Sequence, residues 1–133
     1  MRAIQRMSLV SVLCCTACFR IGPSTQDLSL VTSPNGARVD VQTTTQRVSG
    51  ELLAVRDSGI VISLGGRVAL VPYPSVRRVM VAELGQYSVG AGTPSPENRA
   101  KLNFVSRYPQ GIGAELERRL LARTGQTSLE VVR

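Results

Sequence analysis

The stretch from Gly36 to Val81 constrains this chain most, because it packs short alternating runs between tight-turn residues and leaves little room for anything but a β meander. Ala37, Val39 and Val41 alternate with Arg38, Asp40 and Gln42, the period of a half-buried strand. Thr43, Thr44 and Thr45 follow, β-branched residues that suit continued extended structure. The next run starts at Arg47 and carries Gly50 in its interior, where strands bulge or bend sharply. Arg56-Asp57-Ser58-Gly59 predicts a hairpin turn in which Gly59 supplies a positive φ. Ile60, Ile62 and Leu64 share one face of a third strand, Gly65-Gly66 turns again, and Val68 and Leu70 point inward from a fourth. Pro72 and Pro74 cannot donate to a ladder, so Pro72-Tyr73-Pro74-Ser75 breaks it before a fifth strand over Val76–Val81.

The C-terminal third changes character. Residues 83–95 hold three glycines and a proline and read as a linker. Ser95 is an N-cap with Pro96 at the first helical position and Glu97 in the first turn. Leu102, Val105 and Tyr108 follow at helical spacing, Glu97 and Lys101 form an i,i+4 pair, and Pro109 and Gly111 end the helix. A second helix spans about Gly113 to Thr124, with Ile112, Leu116, Leu120 and Leu121 on one side and Gly125 as its cap. Residues 96–125 are therefore expected to form an αα-hairpin covering the β domain, and residues 126–133 a tail that extends as an edge strand or stays loose. The predicted class is mainly β with C-terminal helices.

Three segments, Gly50-Glu51-Leu52-Leu53, Gly59-Ile60-Val61-Ile62 and Val71-Pro72-Tyr73-Pro74-Ser75-Val76, resemble the small barrels of Sm-like and SH3-like proteins. That resemblance implies a five-stranded barrel over residues 36–82; a two-layer meander packed on the C-terminal helices is the alternative. Sm-like proteins bind RNA in rings, so the resemblance also implies a second function, that of a cytosolic nucleic-acid binder. Against it, Pro74-Ser75 stands after Tyr73 where bacterial Sm-like RNA chaperones carry a lysine-histidine pair, and no Arg-Gly-Asn loop is present. Tyr73 is the one aromatic of the stretch, which gives no platform for stacking several bases; it is expected to lid the open end of the barrel with its hydroxyl in water. Pro34-Asn35-Gly36-Ala37-Arg38-Val39 is similar to the opening of PEGA surface modules.

Composition narrows the chemistry. The chain of 133 residues suits one domain. It has no histidine, which removes the usual general base, the Ser/His and Cys/His nucleophile systems and a common zinc ligand. Asp40, Glu51 and Asp57 are the acids of the β segment. No catalytic set, metal site or cofactor motif is recognised, and the chain is expected not to be an enzyme. Its formal net charge is +7. Arg47, Arg67, Arg77 and Arg78 are candidates for a face that contacts polyanions; an Arg-rich solvated surface explains the same charges.

The three cysteines, Cys14, Cys15 and Cys18, crowd one short stretch. Arg2 and Arg6 precede an uncharged run that is too short to cross a bilayer as a helix, which needs about 20 apolar residues, and that suits a signal peptide. Cys15-Thr16-Ala17-Cys18 resembles the bacterial lipoprotein box, with cysteine where leucine is usual. The resemblance implies removal of residues 1–17, lipid attachment to Cys18 and a tether over 18–35. Ordinary cleavage after Ala17 and an uncleaved apolar segment are the alternatives. The expected protein is a lipid-anchored component of the cell envelope, an interaction or structural module whose partners are the membrane and an envelope protein or anionic surface.

Overall fold

The computed structural model describes residues 35–82 and 87–133. The segments expected to be signal peptide and tether, with Cys18, lie outside the described residues, apart from Asn35. The fold is mainly β with two C-terminal helices. Its strands are β1 (Arg38–Thr43), β2 (Arg47–Val55), β3 (Gly59–Leu64), β4 (Arg67–Pro72), β5 (Val76–Val81), β6 (Tyr87–Val89) and β7 (Glu130–Val131), and its helices are α1 (Pro96–Val105) and α2 (Ala114–Thr124). All seven strands join one open sheet in the order β6-β5-β1-β2-β3-β4-β7, antiparallel except where β7 runs parallel to β4. The expected five strands are thus present with two more, but the sheet stays open instead of closing into the expected five-stranded barrel, with β6 and β7 as its two borders. β6 arises inside the segment read as linker, and β7 is the edge-strand form of the tail.

Local chemistry sets the connections. Thr43 ends β1 instead of prolonging it: its hydroxyl donates to the Gln46 carbonyl at 3.0 Å and accepts from the Gln46 N–H at 3.1 Å, so Thr44-Thr45 becomes the turn. Gly65 and Gly66 take φ of 56° and 83° in the β3–β4 turn. Gly59 has a different role from the one expected. A Cβ there would lie 2.3 Å from the Val71 carbonyl oxygen, so glycine allows β3 and β4 to approach. Gly50 likewise admits β3, since its Cβ would meet the Ser63 carbonyl oxygen at 2.2 Å.

Two irregularities coil the sheet. The β2–β3 register shifts between Leu52 and Ala54, and the β1–β5 register shifts between Gln42 and Thr43; bulges of this kind bend a strand and increase its twist. A single 3-10 turn, Tyr73–Ser75, then bridges the two ends of the molecule. The Tyr73 N–H donates to Ser58 O in the β2–β3 turn, and Ser75 O accepts from Thr44 N in the β1–β2 turn. Side chains of β1, β2, β3, β4 and β5 consequently meet in one core: Val39, Val41, Leu52, Ile60, Ile62, Val71, Val79 and Val81 are buried there.

The helices do not form a hairpin on each other. Leu102 and Val105 of α1 enter the core inside the coiled sheet, whereas Leu121 of α2 covers a second apolar cluster with Leu53, Ala54, Val61 and Val68. β3 and β4 are therefore buried on both faces. In β4 it is Ala69 and Val71 that enter the main core, while Val68 and Leu70 face α2. α1 stops at Val105, and Tyr108 belongs to the segment beyond it. That segment lies beside β2, where the bulge leaves carbonyls unpaired: Arg107 N donates to Leu52 O at 3.0 Å and Tyr108 N to Leu53 O at 2.8 Å.

Candidate functional site

The acidic side chains are the first place to look for chemistry, and each one among the described residues is held by a basic neighbour. Asp40 pairs with Arg47 at 3.1 Å, Glu51 with Arg107 at 3.4 Å, Asp57 with Arg99 at 2.7 Å, Glu97 with Lys101 at 2.7 Å and Glu130 with Arg67 at 3.3 Å. Glu115 pairs with Arg118 and Arg119, and Glu117 with Arg56. Asp40 also accepts from Ser49, and that bond, followed by Arg47, holds its carboxyl below the usual range. Glu51 accepts the Gly36 N–H at 2.7 Å as well. Asp40 and Glu51 share the exposed face of the sheet, one cross-strand row apart, and each is committed to a different arginine. No group of three His, Cys, Asp or Glu able to hold a metal occurs among the described residues.

A shallow polar groove of about 570 Å³ lies on this face, lined by Asn35, Gly36, Arg38, Ser49, Gly50 and Glu51 among others. Of its polar side chains, Ser49 bonds Asp40 and Glu51 bonds the Gly36 N–H and Arg107. It adjoins a smaller depression of about 230 Å³ that includes Arg38, Asp40 and Met80.

The four candidate arginines do not form one face. Arg67 starts β4 near the opposite edge of the sheet and is tied to Glu130 of β7. Arg47, Arg77 and Arg78 do come together at the β1–β2 turn. Gln42 is flanked by Arg47 in β2 and Arg78 in β5, so those two side chains share a row on one face. Arg77 is the extra residue of the bulge: Gln42 faces Arg78 and Thr43 faces Val76, with Arg77 unmatched between them. Strict alternation would place Arg77 and Arg78 on opposite faces. Here both are exposed, with Val76 and Val79 buried on either side of them. Neither makes an ion pair with any described residue. Doubled arginines were visible in the sequence; the bulge that turns both outward was not.

Tyr73 occupies a position other than the wet lid expected of it. It is 3% exposed, its hydroxyl donates to the Arg56 carbonyl at 2.6 Å, and the Arg99 guanidinium lies 5.9 Å from its ring centroid. Burial pushes the phenol above its usual pKa. No protein-family model matches the chain, and no curated protein or solved structure matches it either. Among the described residues, no helix is long and apolar enough to cross a membrane.

Proposed function

We propose that this chain is a membrane-anchored envelope lipoprotein, attached through Cys18, whose folded part is a non-enzymatic interaction or structural module. The observation that carries this reading is Cys15-Thr16-Ala17-Cys18, placed ahead of a β domain that itself contains no cysteine. One feature of the fold supports it. Every described Asp and Glu side chain is engaged in an ion pair, an arrangement that suits a stable scaffold more than a general base. Radiolabelled palmitate is expected to enter the protein and the membrane fraction to hold it, with both lost in Cys18→Ala. A cytosolic, unlabelled protein that Cys18→Ala leaves unchanged would overturn the assignment.

We read β1–β5 as an SH3/Sm-like unit to which β6 and β7 add edges. The order β5-β1-β2-β3-β4 and the single 3-10 turn between β4 and β5 support that reading. The same order favours the second function, a cytosolic Sm-like nucleic-acid binder. That function requires RNA affinity that falls steeply with salt and disappears on Arg77→Ala/Arg78→Ala; flat or absent binding at low salt excludes it.

A further inference from the structure

We propose that the β1–β5 bulge is a docking face for anionic phospholipid, with the Arg77 and Arg78 guanidinium groups meeting lipid phosphate and Arg47 beside them. This deepens the lipoprotein reading and rests on it for the choice of a bilayer over other polyanions.

The geometry supplies the first argument. A regular fifth strand would turn one of the two arginines into the core between Val76 and Val79, and the bulge instead presents both at the surface. Bulges forfeit ladder bonds and are used where a side chain must be re-aimed. Charge supplies the second. The described Asp and Glu side chains are all paired within the molecule, and the acid closest in register, Asp40, is occupied by Arg47 and Ser49. Arg77 and Arg78, which make no ion pair with any described residue, therefore keep their charge at the surface. A guanidinium matches phosphate through two parallel N–H bonds, which suits a headgroup surface better than a single point charge does.

The composition of the face favours lipid over nucleic acid. Gln42 lies across from Arg78 with Arg47 on its far side, and Asp40 and Met80 fill the next row; none is aromatic, and Tyr73 is buried in the core. Among the described side chains of this face, bases would have nothing on which to stack. Met80, half-buried on the same face as Arg78, adds an apolar side chain at headgroup depth.

Reach is sufficient. The residues between Cys18 and Asn35 span at most about 60 Å when extended, and the bulge lies about 17 Å along β1 from Arg38, at five residue steps. Two arginines alone bind a bilayer weakly. Held next to it by an anchor, they act at high effective concentration and set which side of the domain faces the membrane.

The test uses the full chain with Cys18→Ser, so that it does not depend on whether Cys18 is lipidated. Binding is compared on phosphatidylcholine vesicles and on phosphatidylcholine vesicles containing phosphatidylglycerol, by co-sedimentation at low and physiological salt. The anionic vesicles are expected to bind more tightly, and Arg77→Gln/Arg78→Gln to remove about 30-fold of that preference, about 5-fold for each arginine. Arg118→Gln/Arg119→Gln, whose arginines are already paired with Glu115, should keep the preference within about 2-fold. Circular dichroism of the variants matches wild type if these exposed positions carry no folding role. Equal binding to both vesicles, or a preference that survives in the Arg77/Arg78 variant, overturns the proposal. So does a polyribonucleotide that displaces the protein from anionic vesicles in an Arg77/Arg78-dependent way. Failure here leaves the palmitate result untouched, and failure of palmitate labelling leaves this comparison intact.

Discussion

Tyr73 shows how much of this fold depends on one polar atom. Its ring is buried at the 3-10 turn that joins β4 to β5, and its hydroxyl satisfies the Arg56 carbonyl in the β2–β3 turn. Tyr73→Phe keeps the ring and leaves that carbonyl unpaired, so it should cost about 1 kcal/mol in urea unfolding at neutral pH. The difference has a pH dependence of known sign. Burial raises the phenol pKa in the folded state, so wild-type stability is complete below the unfolded value of about 10 and falls as pH rises beyond it. The Phe variant lacks that loss, and the gap between the two proteins should narrow above about pH 10. The sequence marked Tyr73 as notable because it is the one aromatic of the β stretch. It could not show where the hydroxyl points, because the acceptor lies seventeen residues away across a turn.

At the level of elements, the β2–β3 turn acts as a clamp. Arg56 reaches α2 through Glu117 and bonds the Ile112 carbonyl just ahead of that helix, while the adjacent Asp57 reaches α1 through Arg99. One turn thereby holds two helices that cover opposite faces of the sheet. The Arg56–Glu117 pair is about 30% exposed at both side chains, intermediate between a surface pair and a buried one. A double-mutant cycle with Arg56→Ala and Glu117→Ala should return a coupling of about 1 kcal/mol. The Asp57–Arg99 pair, with Asp57 almost fully exposed, should return less. Strands and helices were legible because period-2 runs, glycine turns and the Ser95-Pro96 and Gly125 caps are local signals. Which face each helix covers was not a local matter. Its trace was present in the unbroken apolar runs Ile60-Val61-Ile62 and Val68-Ala69-Leu70-Val71, which mark strands buried on both sides. The β1–β5 bulge was hidden for a related reason, since two arginines between valines fit either a bulge or a strand end. β6 escaped because Tyr87–Val89 sits in glycine-rich sequence and is a strand only by pairing with β5.

For the whole molecule, the two borders of the sheet are finished differently. Along β4 the Gln126 side chain imitates a strand residue: its carbonyl accepts from Val68 N at 2.7 Å and its amide donates to Val68 O at 3.0 Å. Glu130–Val132 then completes the border, with Val132 N bonded to Leu70 O at 2.9 Å. Replacing Gln126 by Ala frees both Val68 groups and should lower stability by about 1–3 kcal/mol, measured by thermal or urea unfolding. Sedimentation velocity should also detect concentration-dependent association of this variant, because an unpaired border recruits other strands.

The Gln126 clasp has a geometric consequence for assembly. A sheet that can be extended at both margins grows without limit, one copy adding to the next as a fibre does. Here one margin is already spoken for by a side chain of the same molecule, and β7 offers only two residues beyond it. Among the described residues that leaves β6, three residues long, as the other border of the sheet, and the clasp removes the second open margin that head-to-tail growth would need.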